Sequence, residues 1–203
     1  MLNYAESLSY WYLRLNGFFP ITNFVLHQPK GEGQSSDCDI LGIRMPETRE
    51  TISNDSQNLV SCDPILFNGC EIDLDNDTIG VIVQVKSGEY SRTDIDKSFS
   101  EENIYYSCNR LGFFSEREVR KYSKELEMKK CVRKGNKVVV KVLITTIRHQ
   151  RKYNNAWNIT LEDADRFIKL RFKKYSGPKS SARMYFSDQL IQYIAWCSGC
   201  EPE

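Results

Sequence analysis

Histidine is nearly absent from this sequence, with only His27 and His149 in 203 residues. Neither stands at ligand spacing from a second candidate, so the Cys197-Ser-Gly-Cys200 pair lacks the other two ligands a zinc site needs and is read as metal-free. Long hydrophobic runs are missing too. No apolar stretch approaches the roughly 20 residues that cross a bilayer, which excludes a membrane helix and leaves a globular protein. The opening MLNYAESLSYWYLRLNGFF lacks the basic start, apolar centre and small-residue cleavage site of a signal peptide, so a cytoplasmic location is expected. The seven cysteines are odd in number and scattered, a pattern that predicts free thiols in a reducing compartment. Internal repeats and low-complexity tracts are absent as well. At 40% hydrophobic and 12% aromatic residues the chain can bury a sizeable core, and its length suits a single domain over 1–203.

The net charge of +1 conceals a division along the chain. Residues 1–110 carry 17 acidic and 8 basic residues, whereas residues 111–203 carry 10 acidic and 20 basic. A basic surface for a polyanion beside an acidic region able to hold a cation would produce this tally, and so would solvated helix faces. The basic part, 111–203, is where contact with nucleic acid is expected.

Residues 4–16 place Leu8, Trp11, Tyr12 and Leu15 at amphipathic helix spacing, with Gly17 as a stop. ITNFVLHQ after Pro20 reads as a strand, and Asp39-Ile-Leu-Gly-Ile-Arg44 as a second. Residues 46–77 are polar, acidic and broken by Pro64 and Gly69, so they are expected to be an insertion between strands. Ile79 to Val85 is a nearly continuous apolar run, the pattern of a strand covered on both faces. SGEYSRTDIDKS reads as a turn with Thr93 or Ser98 as helix caps, and ENIYYSCNRLGFF as a short helix. SEREVRKYSKELEMKK has capping-box spacing between Ser115 and Glu118. KVVVKVLITTI is a strand, Thr160 begins a capped helix, and a last helix covers about 187–197. The order predicts an α/β or α+β fold, with a central mixed β-sheet flanked by helices.

Within the apolar strand two polar residues stand out, Gln84 and Lys86. Side chains at i and i+2 share a face of a strand, so the two form one polar spot, while Val83 and Val85 face the other way. Lysine can blunt a sheet edge, but GVIVQV is too apolar for an edge. A buried ammonium needs a partner. Asp39, opening the preceding strand, is the expected carboxylate, with Asp37 in reserve on the same face.

The helix bearing Glu6, the strand introduced by Asp39 in Ser36-Asp-Cys-Asp-Ile-Leu-Gly42, and the strand carrying Gln84-Val-Lys86 together resemble the PD-(D/E)xK, or restriction-endonuclease-like, superfamily. Gln84 in place of the usual acidic residue is similar to the Mrr-like branch, where Q-x-K replaces E-x-K. The motif order covers roughly residues 4–90, with the strand at 137–147 fitting a later strand of the family. Two features depart from it: positions 39 and 84 lie 45 residues apart, which leaves Asp73, Asp75 and Asp77 as rivals, and residue 38 is cysteine.

The resemblance implies a metal-dependent nuclease acting on DNA, with RNA as an alternative, in a restriction or phage-defence setting. It implies that Asp39, the Gln84 amide oxygen and the Val85 carbonyl hold Mg²⁺ or Mn²⁺, with Lys86 beside the attacking water and Glu6 reaching a water of the ion or a second ion. It also implies a homodimer or a partner protein of a larger system. The competing reading is a nuclease-like module that has lost cleavage and binds nucleic acid or a protein. For the phosphate backbone the basic segments supply Lys130, Arg133 and Lys134, then Arg148, Arg151 and Lys152, then Arg171, Lys173 and Lys174. No element for reading base sequence is identifiable.

Overall fold

A computed structural model describes residues 3–25, 37–49, 62–67, 70–149, 153–174 and 188–198. Helix α1 (Tyr4–Leu15) starts at a capping box, in which Asn3 Oδ1 accepts from the Glu6 amide at 2.9 Å and Glu6 Oε2 accepts from the Asn3 amide at 3.2 Å. Its expected apolar face, Leu8, Trp11, Tyr12 and Leu15, is buried. Strands β1 (Phe19–Val25), β2 (Asp37–Arg44) and β3 (Thr78–Lys86) follow as an antiparallel meander. Three helices then cross one face of the sheet: α3 (Arg92–Ser98), α4 (Glu101–Leu111) and α5 (Glu116–Met128). The chain returns as β4 (Cys131–Lys134) and β5 (Lys137–Thr145), makes a 3₁₀ turn (Ile147–His149), adds β6 (Trp157–Thr160), and ends in α6 (Leu161–Lys174) and α7 (Gln189–Ser198). Among the described residues no helix is long and apolar enough to cross a membrane.

The sheet order is β1-β2-β3-β5-β4, with β6 also paired to β5; β3 and β6 run parallel to β5. The fold is therefore α+β, a six-stranded mixed sheet flanked by helices, as the sequence predicts. β3 lies in the middle and serves two cores. Val81, Val83 and Val85 pack with Leu8 and Trp11 of α1, Ile168 of α6 and Ile191 of α7. Ile82 packs on the opposite face with Ile95, Ile104, Val119 and Leu126 of α3, α4 and α5. Gly80 interrupts the apolar run because a Cβ there would meet Leu111 Cδ1 and Phe113 Cε2 at 3.0 Å.

Several local expectations change. Ser91, rather than Thr93, caps a helix within the segment read as a turn, and Ser100, rather than Ser98, caps the next. α3 is seven residues long and buries only Ile95, too little for a 3.6-residue period to register. Ser115 and Glu118 do bond as expected, and Thr160 accepts from the Asp163 amide at 3.0 Å.

In the connection between β2 and β3, the described residues hold α2 (Pro64–Phe67) and a turn at 74–76. A buried polar network pins it to α1. The Tyr12 hydroxyl donates to Asp63 Oδ2 at 2.8 Å, the Asp63 amide donates to Asn16 Oδ1 at 2.6 Å, and Arg44 donates to the Thr48 and Leu74 carbonyls.

The expectation of free thiols fails for one pair: Cys70, in the approach to β3, is joined by a disulfide to Cys131 at the start of β4, with Cα atoms 6.8 Å apart. The two are 61 residues apart in the chain, so their meeting is a product of sheet topology. Cys131→Ser is expected to lower stability by about 2–4 kcal/mol. The check is thermal melting of both proteins with and without reductant: only the wild-type midpoint should fall on reduction.

Candidate active site at the end of strands β2 and β3

Lys86 is the last residue of β3, and in the parallel register it stands beside Thr145, the last of β5. The site therefore lies at the end of the sheet from which the chain leaves into α3 and into the 3₁₀ turn. Gln84 is 2% exposed and Lys86 half-buried. Lys86 Nζ donates to Gln84 Oε1 at 3.4 Å, a long bond that confirms the shared face.

Asp39 reaches the same place through an irregularity in β2. Ile40 belongs to the core under α1, while Leu41 and Cys38 both belong to the core under α4. Two positions three apart on one face break the two-residue period. Across the β1 pairing, Asn23 stands opposite Asp39 between the pairs Thr22↔Ile40 and Phe24↔Cys38, and it carries a φ of 53°. The β2–β3 register runs from Arg44↔Ile79 to Ile40↔Val83. Beyond it the Val85 amide donates to the Asp39 carboxylate, Oδ2, at 2.6 Å. Because the N–H and C=O of a strand residue leave the same side of the chain, the Val85 carbonyl also points toward β2 and Asp39. Val85 thus ties the Asp39 carboxylate, through its amide, to the stretch of β3 that carries the Gln84–Lys86 pair.

The surroundings set the charge states. Burial, aided by the Asp39 charge, pushes the Cys38 thiol up to about 12, so it is a protonated packing group and no nucleophile. Asp94, in the first turn of α3, is held below the usual carboxylate range by bonds from the Ser91 amide and hydroxyl, with Lys97 and Lys86 adding to the effect. α3 therefore brings a carboxylate within the field of Lys86, which the sequence reading missed. Among the described residues no three His, Cys, Asp or Glu side chains gather to hold a metal. An ion at the end of β3 would rest on one carboxylate plus neutral oxygens, donors that suit Mg²⁺ or Mn²⁺.

Glu6 is placed differently from expectation. Its helix packs on the Val83 and Val85 side of the sheet, opposite to Gln84 and Lys86. Both carboxylate oxygens bond to Asn3, Oε2 with the amide and Oε1 with Nδ2 at 2.7 Å. Glu6 is thus a helix-capping residue. The rival aspartates fall away on distance. The Asp73 amide donates to Asp77 Oδ2 and the Asp77 amide to the Asp73 carbonyl, in the turn before β3. Seven residues of strand, roughly 23 Å, separate Asp77 from Gln84. The Asp37 side chain lies outside the described residues.

The basic candidates do not form one track. Lys130 Nζ lies over the Trp157 ring at 5.2 Å, Arg133 bonds Asp77 at 2.6 Å, and Lys134 bonds Glu118 at 2.5 Å. Arg171 is buried and donates to the Leu15 carbonyl at 2.7 Å, so it ties α6 to α1 and is not a phosphate contact. Lys173 and Lys174 are exposed at the end of α6. Arg148 is exposed in the 3₁₀ turn, at the same sheet end as Lys86. Arg151, Lys152 and the His149 side chain lie outside the described residues, as does Cys200.

β5 carries a lysine buried more deeply than Lys86. Lys141, in the middle of β5, is fully buried on the α3–α5 face. It donates to the Glu127 carbonyl at 2.8 Å and lies 5.4 Å from the Phe99 ring centre. Burial pushes its ammonium down to about 8, opposed by the charges of Glu127 and Asp96.

The chain matches no protein-family model, no curated protein and no solved structure.

Proposed function

We propose that the end of β2 and β3 is the active site of a metal-dependent phosphodiesterase acting on DNA. The observation that carries this reading is the Asp39 carboxylate seated on the Val85 amide at 2.6 Å, beside the Gln84–Lys86 pair at 3.4 Å. Asp39, Gln84 and the Val85 carbonyl would hold Mg²⁺ or Mn²⁺, which when bound supplies a Lewis acid for a phosphoryl oxygen. Lys86 meets the negative charge that builds on the phosphate oxygens as water attacks. Its bond to Gln84 is long enough to exchange readily for one to phosphate. The element order, a helix, an antiparallel three-strand meander, helices and a parallel strand, agrees with the resemblance read in the sequence.

With one carboxylate in place of two, the cage is weak and the substrate phosphate helps complete it. Gln84→Glu is therefore expected to tighten Mn²⁺ binding by about tenfold, read by titration calorimetry without DNA. Supercoiled plasmid incubated with the wild-type protein should be nicked or cut with Mg²⁺ or Mn²⁺ and untouched in EDTA.

One observation favours a second reading, a nuclease-like module without cleavage: Gln84 offers a neutral amide where the resemblance implies a second carboxylate, and its Oε1 accepts from Lys86. Protein that binds DNA in EDTA and leaves plasmid intact with either metal would support that reading.

A further inference from the structure

Away from the β3 end, α6 and α7 enclose an open groove of about 470 Å³. Among the described residues Arg166, Lys169 and Lys173 line it with a single carboxylate, Asp165; Leu170 forms its apolar part and Cys197 its α7 side. Lys169 pairs with Asp165 at 2.7 Å and Arg166 with Asp163, both within α6 and both on exposed cations. Exposed pairs of this kind contribute little, so a phosphate can replace either carboxylate at small cost.

Aromatic side chains lie beside this groove: Tyr193 and Tyr4 are within the field of Lys169, and Trp196 neighbours Tyr193 on α7. Tyr193 and Trp196 of α7 are 61% and 54% exposed, with ring centres 6.2 Å apart. Tyr4, at the start of α1, is 60% exposed and lies within the field of Asp165 and Lys169. Leu170 is 60% exposed. The other two tryptophans, Trp11 and Trp157, are buried. Large exposed aromatics beside clustered cations are the composition of a surface that stacks bases while neutralising their phosphates.

We infer that the α6–α7 groove binds single-stranded nucleic acid, with bases on Trp196 and Tyr193 and phosphates on Lys169, Lys173 and Arg166. The inference rests on the nuclease reading only for where the strand leads. Thr160, the last residue of β6, pairs with Thr145 at the sheet end that holds Lys86, and α6 begins at the next residue. A strand leaving the candidate active site can therefore follow α6 across the opposite face of the molecule. Duplex DNA has its bases stacked inside and presents only phosphates to such a groove.

The test uses the full-length protein in EDTA, so that no cleavage is required. A fluorescein-labelled oligothymidylate is titrated while its anisotropy and the tryptophan emission of the protein are followed, with a labelled hairpin duplex as comparison. The wild type should bind the single strand more tightly than the duplex, with quenched tryptophan emission and a loss of affinity as salt rises. Trp196→Ala and the double variant Lys169→Ala/Lys173→Ala should each weaken single-strand binding roughly five- to hundredfold. Trp196→Phe should retain most of it. Binding in EDTA separates the groove from the candidate active site: if plasmid is never cut but these results hold, the groove stands alone. Single-strand binding indifferent to both groove variants would overturn the inference, as would tighter binding to duplex. So would sedimentation showing a wild-type dimer that Trp196→Ala dissolves, which would make the groove an interface with a second copy.

Discussion

Lys86→Ala should reduce plasmid cleavage by at least about 10²–10³-fold while leaving the melting temperature near that of the wild type. The side chain is half-buried at a strand end, and its bond to Gln84 is a long one, so the fold does not depend on it. The proposed chemistry does depend on it, because it is the cation that β3 itself delivers to the polar group at its end. Lys86→Arg is the informative companion. A guanidinium keeps the charge, but its planar fork is bulkier than an ammonium, so partial activity at best is expected. The assay is conversion of supercoiled to nicked plasmid at saturating Mn²⁺, with circular dichroism to confirm folding. Equal cleavage by wild type and Lys86→Ala would remove Lys86 from the mechanism.

Lys141→Met should stabilise the protein at neutral pH, the reverse of the usual outcome for a fully buried position. An ammonium with one backbone acceptor and one aromatic face leaves much of its hydration unreplaced, and an apolar side chain of similar length avoids that cost. The lost hydrogen bond and ring contact offset part of the gain. A net rise of about 1–2 kcal/mol is expected, or roughly 3–6 °C in melting temperature.

The sign with pH follows from the lowered pKa. Between about 8 and 10.5 the unfolded chain still binds the Lys141 proton and the native protein has released it. Stability from this group therefore rises with pH across that window, and its destabilising effect is fully present below about 8. Urea denaturation from pH 7 to pH 10 should show the gap between wild type and Lys141→Met closing as pH rises. A constant gap would contradict the assignment.

The site was legible where it depends on local period and illegible where it depends on departures from it. Gln84 and Lys86 could be placed on one face because β3 keeps its alternation from Ile79 to Lys86. Asp39 could be named as the carboxylate, but its seat on the Val85 amide arises from the slip between Cys38 and Leu41, which an alternation rule cannot foresee. Glu6 was read as a ligand although Asn3 stands three residues before it, at the spacing of a capping box. The rule that singled out Lys86 applies equally to Lys141 inside KVVVKVLITT, and the sign of a second buried ammonium was there to be read. The fold class followed from long periodic segments. α3, β4 and β6 were too short to show a period, and tertiary pairing defines them. The Cys70–Cys131 bridge and the aromatic groove join segments tens of residues apart. Only the packed sheet and helices bring them together.

The most direct measurement of the central claim is plasmid cleavage by wild type and Asp39→Ala side by side, in Mg²⁺, Mn²⁺ and EDTA. The site described here predicts metal-dependent nicking by the wild type, none in EDTA, and none by Asp39→Ala under any condition. Cleavage that persists in Asp39→Ala, or that proceeds in EDTA, would contradict it.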